Sequence, residues 1–235
     1  MKAPAASTTD ATAALERARL LPRTFFSRDP RLVARELLGK LLVRRESGAV
    51  RAGRVMETEA YLGVGDPAAH AAAGLTPRTA VLFGPPGYAY VYFIYGNHFC
   101  LNVSCQPEGE AGSVLFRGLT PVLGGELMAL ARGLDRSRLH GETGRSLTNG
   151  PGRLAQALGI TRLRDNGKDL TDSASDLVLM DDGFRPEGIA VTPRIGITKA
   201  AQELLRYVLA ENRPSAGSGR HKTRRPDGSR PARGS

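Results

Sequence analysis

Tryptophan is absent from the 235 residues, cysteine occurs only at Cys100 and Cys105, and histidine only at His70, His98, His140 and His221. Two cysteines cannot staple a disulfide scaffold or supply a thiolate metal site, and they read as small apolar packing groups. The histidines show no HExxH-type spacing, so no metal is expected, and no nucleotide-cofactor motif is present to assign a cofactor. No apolar run approaches the length of a bilayer span, and Met1 to Asp10 lacks the apolar stretch of a secretory signal. A membrane protein is therefore not expected, and a cytoplasmic location is.

What is present is an ordinary globular composition, 41% hydrophobic and 24% charged, with a formal charge of +10. That charge is unevenly placed. Residues 212–235 hold seven Lys/Arg against one acid, Asp227, whereas 1–22 carry +1, leaving +3 on 23–211. The last stretch is rich in Gly, Ser, Pro and Arg with almost nothing apolar, and is expected to be a disordered basic tail. Such a tail either favours polyanions through counterion release or simply keeps a protein in solution. The chain divides into a flexible segment 1–22, one folded domain over 23–211 and the tail 212–235.

Within the domain, Asp29 suits a helix N-cap, Pro30 the first helical position, and Leu32, Val33, Leu37 and Leu38 an apolar stripe that Gly39 can terminate. Leu41 to Arg44 and Arg51 to Tyr61 read as strands. Tyr88 to Ser104, aromatic and β-branched around Gly96-Asn97, reads as two strands and a turn. Val114 to Arg117 and Leu177 to Met180 read as further strands, Gly125 to Arg132 and Arg153 to Leu158 as helices, and Arg138 to Thr148 as a surface loop. With no βαβ rhythm, the expected fold is α+β: a single compact domain with a curved, mostly antiparallel sheet flanked by helices.

Three features bear on chemistry. Glu57 and Glu59 share a strand face with Thr58 opposite, their spacing being ~6.5–7 Å from the strand rise. A pair at that distance suits the acid and base of an inverting glycosidase, or is merely a solvated edge-strand face. Four of the six tyrosines fall at Tyr88, Tyr90, Tyr92 and Tyr95, the first three on one face and Tyr95 beside the Gly96 turn. Rings so placed suit stacking on unpaired bases, or a structural aromatic cluster. Tyr61 would lie on the face of the two acids. His70 follows a turn at Asp66-Pro67, where a lone histidine is more often structural than functional. Asn149-Gly150-Pro151-Gly152-Arg153 opens a helix and reads either as a phosphate seat or as an ordinary Gly-Pro start.

Taken in order, Glu57 to Gly63 (ETEAYLG), Asp66 to His70, Phe83 to Gly87 (FGPPG), Tyr90 to Gly96 (YVYFIYG), Cys100-Leu101-Asn102 and Gly150 to Leu154 (GPGRL) resemble the alkyladenine (3-methyladenine) DNA glycosylases. The resemblance runs from about Phe25 to Val208 and implies an enzyme that flips an alkylated or deaminated purine out of duplex DNA, cuts its N-glycosidic bond and leaves an abasic site. It also implies roles. Glu59 corresponds to the base that activates water and Arg117 to an arginine near that water; Tyr61 and Tyr92 sandwich the flipped base, with His70 at its edge. Asn102 disfavours a 2-amino group, and Tyr95 wedges into the vacated duplex position. No metal or cofactor is implied. The partner is double-stranded DNA carrying damaged purines, met by a nucleoid-associated monomer. Tyr88-Ala89, Asn97, Gly118-Leu119-Thr120 and Leu204-Leu205 depart from the usual residues of that family around the site without removing any of these groups. The alternative from another class is a non-catalytic nucleic-acid-binding module of the same fold. A carbohydrate hydrolase built on Glu57 and Glu59 fits less well, since sugar platforms favour Trp and the chain is basic.

Overall fold

The computed structural model describes residues 8–94, 96–135 and 143–210. The tail expected over 212–235 and the wedge residue Tyr95 lie outside the described residues. The chain begins with helix α1 (Thr8–Arg17), strand β1 (Arg19–Leu20), two helices α2 (Arg23–Phe26) and α3 (Pro30–Leu37), and a hairpin of β2 (Leu41–Glu46) and β3 (Ala49–Tyr61). A 3₁₀ turn (His70–Ala73) and α4 (Ala80–Phe83) lead to β4 (Ala89–Ile94), β5 (His98–Cys105) and β6 (Gly112–Leu123). Helices α5 (Gly125–Ala131), α6 (Thr143–Thr148), α7 (Pro151–Ala157) and α8 (Arg162–Asp165) precede β7 (Leu177–Asp181), β8 (Ile189–Thr192) and β9 (Arg206–Leu209). The strands make one antiparallel sheet in the order β1-β7-β2-β3-β6-β5-β4, with β9 added to β3 and β8 to β9. The fold is α+β, an open antiparallel sheet flanked by helices.

Local chemistry explains the elements that hold the site. Asp29 caps α3 by accepting the Arg31 N–H at 2.8 Å, and Pro30 opens the helix. Val33, Ala34 and Leu37 are fully buried against the sheet, while Leu32, expected in the apolar stripe, is 51% exposed. Ser47 and Gly48, both at positive φ (49° and 78°), form the two-residue loop that matches the twist of the β2–β3 hairpin. β3 is the spine. Its first half pairs with β2; from Glu57 to Glu59 that edge passes to β9, and β6 runs along the other edge from Ala52 to Tyr61. Register shifts on both sides of Glu57 mark bulges, which bend a strand and re-aim its side chains.

Several expectations are corrected. Part of the segment 1–22 is regular structure: Thr8–Arg17 is helical, and Arg19 and Leu20 pair with Asp181 and Met180. The loop expected over Arg138 to Thr148 includes α6, which is fixed by tertiary contacts: Leu147 is buried, and the Thr148 hydroxyl donates to the Leu119 carbonyl at 2.7 Å. β6 is 12 residues long rather than the four of Val114 to Arg117. The core beneath the sheet is built from Phe26, Leu37, Leu42, Val55, Leu101, Phe116, Met128 and Leu154. Among the described residues no helix is long and apolar enough to cross a membrane.

Candidate active site

Where β3, β6 and β9 meet, four charged side chains alternate in sign. Thr58 turns toward α3 and donates to the Ala34 carbonyl at 2.8 Å, which leaves Glu57 and Glu59 on the other face. Arg117 of β6 lies between them, its Nε 2.8 Å from Glu57 Oε1 and its Nη1 3.2 Å from Glu59 Oε1. Arg206 of β9 approaches Glu57 Oε1 from the far side, with Nε at 2.6 Å. Glu57 is therefore neither a free acid nor part of a solvated edge face, which corrects both readings of the carboxylate pair.

Glu59 has no exposed surface. Its Oε1 also accepts the Ile195 N–H at 2.8 Å, and its Oε2 accepts the Tyr61 hydroxyl at 2.9 Å. Burial pushes its pKa above the usual carboxylate value, opposed in decreasing order by Arg117, the Ile195 N–H and the Tyr61 hydroxyl. Burial and the neighbouring Glu59 charge likewise raise the Tyr61 phenol, so the hydroxyl keeps its proton and is the donor.

In front of Tyr61 opens a cavity of about 490 Å³, its mouth included, lined also by His70, Tyr90, Tyr92, Asn102 and Ser113. Tyr92 and His70 meet edge to face, with ring centroids 4.5 Å apart. Tyr90 and Asn102 are register partners on β4 and β5, so the hairpin puts both on the same wall. His70 Nδ1 lies 2.9 Å from the Tyr90 hydroxyl and Nε2 lies 3.4 Å from Arg78 Nη2. A guanidinium can only donate, so Nε2 is the acceptor and Nδ1 carries the proton. Burial, then the Arg78 charge, lowers the His70 pKa and keeps the ring neutral at neutral pH. Gly63, at φ +89°, is required where the wall turns, because a Cβ there would lie 1.9 Å from the Ala111 carbonyl oxygen.

Behind Tyr61 the Arg194 guanidinium stacks 4.7 Å from the ring centroid. Arg194 also donates to the Ala60 carbonyl at 3.1 Å and to Asp66 Oδ1 at 3.0 Å, and both side chains of this pair are buried. Asp66 in turn accepts the Leu62 and Ala68 N–H groups, fixing the turn that delivers His70. This clamp holds Tyr61 from the rear and brings the next residue, Ile195, onto Glu59. Arg194 and Arg206 escaped the sequence analysis. The signal available for Arg194 was a charge isolated in Pro193-Arg194-Ile195-Gly196.

The structure thus brings Glu59, Arg117, Tyr61, His70, Tyr92 and Asn102 into one region, with Glu59 one hydrogen bond behind the cavity wall. At the start of α7 the Gly150 N–H is already engaged by the Arg117 carbonyl at 2.8 Å, which ties that turn to β6. Lys40 is paired with Asp181 at 2.6 Å and Lys168 with Asp165 at 3.0 Å, and among the described residues no lysine lines the cavity. Cys100 and Cys105 are buried free thiols, the former pushed up to about 11 by burial. Among the described residues no group of three or more His, Cys, Asp or Glu could hold a metal.

Comparison with known proteins points to one family. The methylpurine-DNA glycosylase (MPG) family matches residues 24–213. A protein of Koribacter versatilis named "Putative 3-methyladenine DNA glycosylase" is 63% identical over 190 residues, 81% of this chain and 89% of that protein. Proteins of the same name from Methanoculleus marisnigri and Rhodopseudomonas palustris are 48% and 47% identical, covering 82% and 83% of this chain and 96% and 86% of their own length.

Proposed function

Because the chain belongs to the methylpurine-DNA glycosylase family, we propose that it excises damaged purines from duplex DNA by hydrolysing the N-glycosidic bond. The damaged nucleotide rotates out of the helix, as is general for glycosylases, and its base enters the cavity between Tyr61 and Tyr92. The observation that carries this reading is a buried carboxylate, Glu59, coupled to Arg117 directly behind an aromatic cavity.

Each group then has a physical task. N-alkylation makes a purine cationic, so rings on either side attract it by about 0.5–2 kcal/mol per contact, and the same charge makes it a good leaving group. Departure of the base leaves an oxocarbenium-like sugar, which a fixed carboxylate stabilises while taking a proton from the attacking water. Glu59 supplies that carboxylate, and its upward-shifted pKa makes it a stronger base than a solvated glutamate. For water to reach it, the Tyr61 hydroxyl must release Oε2 when substrate fills the cavity; catalytic hydrogen bonds commonly reorganise on binding. Arg117 holds Glu59 ionised, Asn102 disfavours a 2-amino group, and neutral His70 borders the base. Tyr95, next to the Gly96 turn, fills the gap left in the duplex and offsets part of the unstacking cost. A Schiff-base lyase step needs an amine, and among the described residues no lysine lines the cavity, which supports a reaction that stops at hydrolysis. The enzyme acts as a monomer in the nucleoid-containing cytoplasm, and the basic tail adds sequence-independent affinity.

An end-labelled duplex carrying one hypoxanthine or 1,N6-ethenoadenine tests this. Alkali-labile sites should form, and Glu59→Gln should slow single-turnover excision by about 10²–10⁴-fold. No abasic product from any alkylated, deaminated or etheno purine would overturn the proposal. The covering of Glu59 by Tyr61 favours the non-catalytic module as the second reading, which requires Glu59→Gln to leave the biological activity intact.

A further inference from the structure

Glu57 and Arg206 belong to the charged cluster yet touch no part of the cavity. Their geometry is specific. The bulge at Glu57 sets it opposite Gly118 of β6 and Val208 of β9, the neighbours of Arg117 and near neighbours of Arg206. A single oxygen, Glu57 Oε1, accepts from both guanidinium Nε atoms, at 2.8 and 2.6 Å. The contact from Arg117 Nη1 to Glu59 Oε1 is 3.2 Å, longer than the ~2.7–2.9 Å of a well-made charge-assisted bond. Arginine prefers to grip a carboxylate with two nitrogens. Here the shorter of its two contacts goes to the acid that faces no substrate.

We propose that Glu57 and Arg206 are a positioning pair for the base: Glu57 takes the Nε edge of Arg117 so that only Nη1 reaches Glu59, and Arg206 balances the charge of Glu57. Without Glu57 the guanidinium would close as a fork on Glu59 and quench its basicity. Without Arg206 the Glu57 charge would act unopposed on the neighbouring carboxylate. Stability alone is a weak account of such a cluster, because buried ion pairs contribute little net stability over apolar packing. The groups that face Glu59 are Tyr61 and Glu57 from β3, Arg117 from β6, Cys100 from β5, and Arg194 with the Ile195 N–H from the segment before β9. Of these, only Arg117 has its orientation set by the Glu57–Arg206 pair. The inference rests on the reading of Glu59 as the base.

Glu57→Gln and Arg206→Gln test it by moving one observable in opposite directions. The pH dependence of single-turnover excision and the ¹³C-carboxyl titration of Glu59 are measured on the full chain. Glu57→Gln removes a nearby negative charge and frees the fork, so Glu59 should titrate lower, the acid limb should move to lower pH, and the plateau rate should fall roughly tenfold or more. Arg206→Gln should move both titrations higher, Arg206→Lys should restore them, and the double Gln variant should follow Glu57→Gln, because Arg206 acts only through the Glu57 charge. Shifts of the same sign in both single variants, or none, would overturn the inference. If Glu57→Gln does not fold, the upward shift in Arg206→Gln and its rescue by lysine still decide. If the wild-type protein excises nothing, the functional reading fails while the carboxyl titration still judges the coupling.

Discussion

Two clusters of buried charge in this protein use the same ingredients to opposite ends. One is the Glu57–Glu59–Arg117–Arg206 group at β3, β6 and β9. The other ties β2 to α8 and to the segment before β7: fully buried Arg44 meets fully buried Asp165 at 2.7 Å and Asp176 at 3.1 Å. Lys168 adds to both acids, and Arg164 bridges Asp176 and Glu46 at 2.7 and 2.8 Å. Three cations around one partly exposed carboxylate hold Asp176 far below the usual carboxylate range, whereas full burial pushes Glu59 up against the opposing Arg117 charge at 3.2 Å. A carboxylate in surplus of partners is a fastening. One whose burial outruns its partners keeps its basicity, and that is what a general base needs.

The sharpest way to break this contrast is the same amide swap in each cluster. Asp165→Asn leaves buried Arg44 with Asp176 as its one remaining carboxylate and should cost about 3 kcal/mol in urea unfolding, with excision per folded molecule unchanged at low temperature. Glu59→Gln should slow excision by about 10²–10⁴-fold while leaving stability equal or higher, because it removes a charge that the fold holds at a disadvantage. Equal losses of stability in both variants would erase the distinction.

A weaker effect is the acid limb of stability. Asp176 and Asp181 have lowered folded pKa values, the latter at about 2. Their stabilisation is present above the unfolded value of ~3.9 and is lost as pH falls through the folded values. Glu59, raised in the fold, has the reverse sign: its contribution is most favourable when protonated and declines as pH rises through its folded pKa. Denaturant titrations between neutral pH and about 3 should therefore show a shallower acid loss for Asp176→Asn than for wild type, and a steeper one for Glu59→Gln. Parallel curves would mean that neither carboxylate is tuned as described.

What the chain disclosed before folding follows the range of the forces involved. Asp29-Pro30 identified α3, and the tyrosine alternation around Gly96-Asn97 identified the β4–β5 hairpin, because caps, turns and strand faces are local. Glu59, Tyr61 and Tyr92 stood out for the same reason, lying in long and unusual strings, and Asn102 only by its place in order after them. Arg206 was not, since its meaning lies in a carboxylate 149 residues away. Strands β8 and β9 were missed similarly: four residues of weak pattern become strands only when β3 offers an open edge. Thr148, read as loop, is helical because Leu119 accepts its hydroxyl. Glu57 was singled out for the wrong task, its spacing from Glu59 being visible and its two arginines not.

The smallest expected effect belongs to the last of the three groups that oppose the upward pull of burial on Glu59, the Tyr61 hydroxyl. Tyr61→Phe retains the ring that packs on Arg194 and would stack on a flipped base, and removes only the donor to Oε2. Two consequences oppose each other. Water gains Oε2 without displacing a hydroxyl, which favours the reaction; the carboxylate loses a stabilising hydrogen bond, so its pKa rises and the acid limb of the pH–rate profile moves to higher pH. Well above that limb the rate should equal or exceed wild type, and below it the rate should drop, the whole change staying within about tenfold. The variant removes one hydrogen bond, so urea unfolding at neutral pH should change by no more than about 1 kcal/mol. A fall of about a hundredfold at every pH would instead make the hydroxyl a participant in the chemistry and move Glu59 from sole base to one member of a pair.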